Sequence, residues 1–537
     1  MSAPGPRSPP PAVKTWTPLR HALFRNIWLA SQFSNLGTWM HEVGAAWLMT
    51  DATSDPRMVA LVSAASNLPV FLLALPAGAL SDLLDRRKVL MATQLWMTAC
   101  TGALAALTYI GVAGPWTLLA FTFLMAVGTA VGWPAMQAIQ PETVEKDEVP
   151  AAIALGGIGY NMTRVIGPAI GGYVVALGGA AAVFGLNALS FLALLGVLAA
   201  WKRPPEPPDP IPREPLMLAM ATGMKYVHHS PGLICVLVRG VLVITAGSCL
   251  WAVLPLVVRR EMGLPAQGYG QLLGFLGAGA VAGAMLLDRI RARLSAGTII
   301  SVASAGIAAQ LAVLAHTRGL HSVRAAMFFG GVAWTLALTT LNVSVMRMAP
   351  AWVRSRAAAT YLLVFTGSMA FGSMLWGAVA VRAGGPGPAL GWAGLALALS
   401  IPVQALLAIP EEEAVGDLSP RDCGPVHDIA AENGAVDDKR RVLVTIEYIV
   451  REEDDAAFAG ALLAMRHIRL RDTATDWGHW SDMNDPRLHL ESYIVESWAD
   501  HLRQNERMTV ADDAVKEQVL ALHQGPERPA VRHRLAR

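Results

Sequence analysis

Charge is scarce in this chain. Asp, Glu, Lys and Arg make up 15% of its 537 residues, against 54% hydrophobic residues and a mean hydropathy of +0.42. So few charges cannot cover a soluble globule of this size, which points to lipid as the solvent. Cysteine is also sparse. Cys100, Cys235, Cys249 and Cys423 show no C-x-x-C or metal-ligand spacing, so neither a disulfide framework nor a zinc site follows, and no cofactor is expected. The net charge of +2, with no Lys/Arg stripe interleaved with aromatics, argues against a nucleic-acid footprint. No Gly-x-x-x-x-Gly-Lys-Ser/Thr loop occurs, which argues against an ATP-driven pump. Nor is a signal peptide expected: the first apolar run starts near Ile27, is too long for a signal core, and leads into further runs without a small-residue cleavage site.

Long apolar runs are what the chain has in abundance. Twelve reach the length needed to cross about 30 Å of hydrocarbon as helices: residues 27–50, 58–80, 89–112, 116–139, 151–176, 180–201, 233–257, 269–287, 296–315, 323–346, 357–382 and 388–409. One longer break splits them six and six. The expected organisation is a disordered tail over 1–20, a six-helix bundle over 21–201, a central loop over 202–231 with an amphipathic stretch near its end, a second bundle over 232–409, a polar linker over 410–439 and a soluble α+β domain over 440–525. In that last domain, alternation predicts strands over 441–450, 474–483 and 489–497, and helical spacing predicts helices over 454–470, 497–507 and 512–523, an order that suggests a ferredoxin-like fold.

Lys and Arg number 18 on the side of the loops that includes Arg86, Arg87 and Lys88, against six on the other. Basic residues are retained in the cytoplasm, so both termini are expected inside. The Arg259–Arg260 pair is the exception to this bias and has no account from sequence.

Between the second and third runs stands Gly78-Ala-Leu-Ser-Asp82-Leu-Leu-Asp85-Arg86-Arg87-Lys88. Gly78 permits close helix approach, and Asp82, Asp85, Arg86 and Arg87 supply a charge-paired latch suited to gating at one face of the bilayer. This loop resembles that of the major facilitator superfamily, whose loop between the second and third helices has the same Gly-x-x-x-Asp-x-x-x-Arg-Arg-Lys form. The two halves also look alike, with Tyr160 to Gly171 superposable on Tyr361 to Gly372, as expected of paired units that rock about a midplane site. Gly167-Pro168-Ala-Ile-Gly171-Gly172 in the fifth run resembles the signature of the exporting, proton-exchanging branches. In that run Gly167 and Gly171 share a packing face, and Pro168 removes one backbone bond and is a place for a kink.

Ionisable residues inside spans are the strongest functional signal, because each costs a few kcal/mol at the bilayer centre unless it is paired or faces water. Glu42, about 22 Å along the first span, is the candidate proton carrier, with His41 tuning it. Asn35, Trp39, Asn161, Arg164 and Arg239 are candidate cavity residues, Arg164 meeting either an anionic substrate group or Glu42. In the tail, the stretch from Trp477 to His501 resembles the antibiotic-biosynthesis-monooxygenase-like fold, which often pairs by its sheets. His479, His489, His501, Trp477, Trp480 and Trp498 are therefore either packing and dimer-interface residues or a pocket for cofactor-independent oxidation. Such a tail is familiar behind carriers of the enterobactin-exporter-like, transmembrane secretion effector group. The expectation is a twelve-helix inner-membrane carrier exporting a small amphipathic compound such as a siderophore or drug in exchange for protons, with an importer or facilitator as the rival reading.

Overall fold

A computed structural model of the chain describes residues 16–201, 223–410, 416–419, 440–472 and 474–536. The expectations for most of the N-terminal tail, for the first part of the central loop and for Cys423 lie outside the described residues.

The first bundle contains α1 (Ala22–Ala52), α2 (Pro56–Leu83), α3 (Arg86–Tyr109) and α4 (Pro115–Glu142). A 52-residue element, Val149–Ala200, follows. At 1.5 Å per residue it would be more than twice the hydrocarbon thickness, so it cannot be one crossing. It breaks at Gly179, whose φ of 72° suits glycine, giving α5 before the break and α6 after it. Pro168 leaves α5 helical. The second bundle contains α7 (Pro231–Leu256), α8 (Ala266–Arg291), α9 (Ala296–His316), α10 (Leu320–Arg347), α11 (Arg354–Arg382) and α12 (Pro386–Leu406).

Among the described residues ten elements are long and apolar enough to cross a membrane, and the broken one among them supplies two crossings. The 31-residue α1, made less apolar by Arg25, Glu42 and Asp51, is the twelfth. The starts follow local chemistry. Pro115, Pro231 and Pro386 each open a helix, where the missing N–H costs nothing, and Asp85 caps α3 by accepting from the Arg87 N–H at 2.9 Å.

Glycine sets how close the helices come. A Cβ on Gly171 of α5 would lie 2.9 Å from the Met40 Cα of α1, and one on Gly372 of α11 would lie 3.1 Å from the Thr245 Cα of α7. The same contact thus recurs in both bundles, as the internal repeat implies. The bundles meet along α2 with α11 and α5 with α8. Gly172 backs onto Gly270, Gly377 onto Ala60, and the Ser63 and Ser373 hydroxyls bond at 3.0 Å. These contacts seal the face opposite the α2–α3 turn, hereafter the far face; the other is the turn face.

The tail is a small α+β unit. Strands β1 (Val442–Ile449), β2 (Thr475–Ser481), β3 (Leu488–Val495) and β4 (Ala530–Leu535) form an all-antiparallel sheet in the order β2-β3-β1-β4, with α13 (Asp455–Arg471), α14 (Trp498–Glu506) and α15 (Val510–Ala521) in the connections. This is the βαββαβ order expected, with one helical connection doubled. The unit runs past the expected boundary at residue 525, because β4 completes the sheet. Every β4 residue is exposed, so it carries no alternation to read. Asp417 and Ser419, expected to be free linker, accept from the Ala511 and Val510 N–H groups at the start of α15.

Gly331 of α10 abuts the Leu276 carbonyl of α8, where a Cβ has no room. Gly331→Leu is expected to cost about 3 kcal/mol or more, read as a lowered unfolding midpoint in detergent. Gly102→Leu, where an added Cβ meets nothing within 4 Å, leaves the midpoint unchanged.

Candidate functional site

Beneath the far-face seal lies a cavity between the two bundles. On α1, Trp39, Glu42, Val43 and Ala46 follow helical spacing and form one stripe of its wall. Ser63 of α2 and Arg164 and Pro168 of α5 complete the first bundle's share, while Trp251 of α7, Tyr269 of α8 and Trp334 of α10 face them from the second. The result is an aromatic chamber with one carboxylate and one guanidinium. Glu42 and Arg164 are both half-buried, and neither has an ion pair among the described residues. A static pair would have satisfied both. Left apart, with Ser66 beside Glu42 and Tyr160 beside Arg164, each stays open to water or to a bound solute.

Other expected residues sit elsewhere. His41 is 1% exposed, packs on Phe184 with ring centroids 4.7 Å apart, and has no hydrogen-bond partner on either nitrogen among the described residues. It points away from Glu42's cavity as a packing group. Asn161 is exposed and bonds the Gly157 carbonyl of its own helix at 2.9 Å, and neither it nor Asn35 lines the cavity. Arg239 is also absent from the cavity wall. Only 2% exposed, it donates to the Leu407 carbonyl at 3.0 Å and the Gly297 carbonyl at 2.9 Å, tying α7 to the end of α12 and the start of α9.

The charged turn binds its own bundle together. Arg86 bonds Glu142 of α4 at 2.6 Å, and Arg87 donates to the Leu198 and Ala199 carbonyls of α6 at 2.8 and 3.0 Å. The expected close approach at Gly78 and the expected latch contact of Asp82 lie outside the described residues. Gly167 and Gly171 pack on α1, Pro168 joins the cavity wall, and Gly172 meets α8. Sequence reasoning missed Trp251, Tyr269 and Trp334, since an aromatic residue in a span reads the same whether it faces lipid, core or cavity.

The model of a family described as "Transmembrane secretion effector" matches residues 13–537. The chain belongs to this family. Among relatives, the staphyloferrin A transporter of Staphylococcus aureus is 30% identical over 30% of this chain and 41% of its own length. Macrolide efflux protein A of Streptococcus pyogenes is 22% identical over 44% of this chain and 58% of its own, and the enterobactin exporter EntS of Escherichia coli is 25% identical over 53% and 68%. The chain thus spans only part of each. Among solved structures, a bacterial homologue of the lysosomal transporter Spinster, inward-facing and unoccupied, superposes with a TM-score of 0.56 at 16% identity, covering 73% of this chain and 95% of that one. The nucleoside transporter NupG gives 0.58 at 14% identity, covering 72% and 98%. These two share the fold of the membrane part.

In this chain the tail rests on the turn face of the second bundle. Arg471 lies over the Tyr226 ring at 5.3 Å and Arg507 over the Trp352 ring at 4.5 Å. Tyr226, just before α7, donates to the Met348 carbonyl at 3.0 Å, and burial pushes its phenol up to about 12. Four of the tail's imidazoles form two separate packed pairs on the helix-covered side of the sheet. His479 and His489 approach to 3.1 Å beside Phe458, and His501 and His533 to 3.1 Å beside Trp498. Trp477 donates to the fully buried Glu491, which also meets Arg469 and Tyr448, while Trp480 is exposed on the opposite side and bonds Ser492. The six expected residues therefore do not converge on one pocket.

Burial lowers His479 and His533 and brings His501 down to about 3. An unfolded histidine binds a proton near pH 6.5, whereas the folded His501 does not until about pH 3. The stability of the neutral form is therefore complete above pH 6.5 and is lost as pH falls toward 3. The tail should loosen on acidification by about 1.4 kcal/mol per pH unit for such a group. Hydrogen exchange of β1 and β4, corrected for the intrinsic pH effect, should show this, and His501→Phe should flatten the dependence.

Proposed function

We propose that this chain is an inner-membrane carrier that exports a small amphipathic molecule in exchange for protons. The observation that carries the reading is the one acid and one base left without ion partners on a shared aromatic cavity, Glu42 and Arg164. Names of relatives add direction: two are an efflux protein and an exporter. The excess of Lys and Arg on the turn face supports placing that face, both termini and the tail in the cytoplasm.

The exchange follows from desolvation. An ionised carboxylate in a low-dielectric chamber is costly without a counter-charge, so the empty cavity favours a proton on Glu42. A solute that stacks its apolar part on Trp39, Trp251 and Trp334, offers an anionic or acceptor group to Arg164 and turns a donor or cation toward Glu42 makes the ionised form favourable and expels the proton. Proton and solute then occupy the site in turn. Rocking of the bundles about the cavity carries one out and the other in. Through the docked Arg471 and Arg507 the tail serves as a regulatory attachment, and the open face of its sheet, with Trp480, is the surface on which two copies pair.

In liposomes, Glu42→Gln should reduce substrate-driven proton movement at least tenfold while the protein still inserts and folds. Undiminished flux ends the proton role. A strain lacking the protein should retain the exported compound and become more sensitive to it; faster loss of compound from that strain, with reduced uptake, would establish import instead.

A further inference from the structure

Arg259 and Arg260 are two cations on the face otherwise poor in them, and their surroundings explain why. They lie in a π-helical turn, Val257–Glu261, that extends α7 at the far face. Arg259 forms an ion pair with Asp51 at the end of α1, donates to the Thr50 hydroxyl at 3.3 Å, and lies over the Trp47 ring at 5.2 Å. Arg260 donates to the Thr53 carbonyl at 3.4 Å. Both therefore reach from the second bundle to the first. Glu261 looks the other way, pairing with Arg318 and accepting from the Gly387 N–H at 3.3 Å, both within the second bundle. A π-turn redirects successive side chains relative to an α-helix, so three consecutive residues can hold two bodies.

Below the clasp, Trp47 stacks on Tyr269 with centroids 6.4 Å apart and 27° between planes, and Tyr269 lines the cavity. We propose that Asp51, Trp47 and Arg259 are the gate of the far face, a clasp that must part whenever the carrier opens outward, and that the Trp47–Tyr269 stack connects it to the contents of the cavity. This rests on the alternating-access reading above. The side chains of Arg259 and Asp51 are 34% and 43% exposed. Solvated pairs of this kind are weak, which suits a contact broken in every cycle, whereas a fully buried pair would lock the face. Arginine also matters as such, since its planar fork can meet a carboxylate and a hydroxyl while its face covers an indole.

The test introduces Ala46→Cys in the cavity wall, with Cys100, Cys235, Cys249 and Cys423 replaced by serine, and measures labelling by a membrane-impermeant maleimide without substrate. Spheroplasts and inside-out vesicles are compared, so an inverted topology appears as exchanged rates and a wrong cargo or direction has no effect. Asp51→Asn and Arg259→Gln should each raise labelling from outside about five-fold or more. The double change Asp51→Arg with Arg259→Asp should return it toward the starting rate. Added salt should speed labelling of the parent and leave Asp51→Asn unaffected. Unchanged labelling in both single variants of properly inserted protein, or a double variant as open as the singles, overturns the proposal.

Discussion

A charge in a bilayer, or at its edge, has few places to go, and this chain's architecture follows from where each one goes. Arg239 is satisfied by two backbone carbonyls at the ends of neighbouring helices. Arg259 is satisfied by an acid, a hydroxyl and a ring on the opposite bundle. Glu42 and Arg164 meet no ion partner among the described residues and share a cavity. The first arrangement makes a bundle rigid, the second makes a separable contact, and the third makes a site. Three solutions to one electrostatic problem thus divide the molecule into body, gate and chamber.

Glycine makes that division mechanically workable. Within each bundle, Gly171 and Gly372 bring α5 onto α1 and α11 onto α7. Between bundles, Gly172 and Gly270 form a seam of bare backbone. Where side chains do not interlock, two surfaces can part and re-form without threading bulky groups past each other, while the interlocked interior of each bundle moves as a unit.

The spans were legible because bilayer thickness imposes their length. The expected ninth, 296–315, is observed as Ala296–His316, and the expected break between the fifth and sixth falls on Gly179. Glu42 and Arg164, both on the cavity wall, were legible from sequence because ionisable groups in spans need a reason to be there. Arg239 looked the same from sequence, since a carbonyl cluster built from α9 and α12 leaves no trace in the residues around it. His41 read as a partner of its neighbour, yet adjacent residues on a helix face about 100° apart. The tail's first three strands could be read from alternation, whereas β4 is held by backbone pairing with β1 at the sheet edge and has no buried side chains to betray it.

The described contacts of the tail with the membrane part fall on Tyr226 and Trp352, beside α7 and between α10 and α11. Both of those residues belong to the second bundle's side of the molecule. Under the proposed rocking of the bundles, the tail would travel with its mount like a pointer on a dial, and its separation from the Arg86–Arg87 corner would report the tilt.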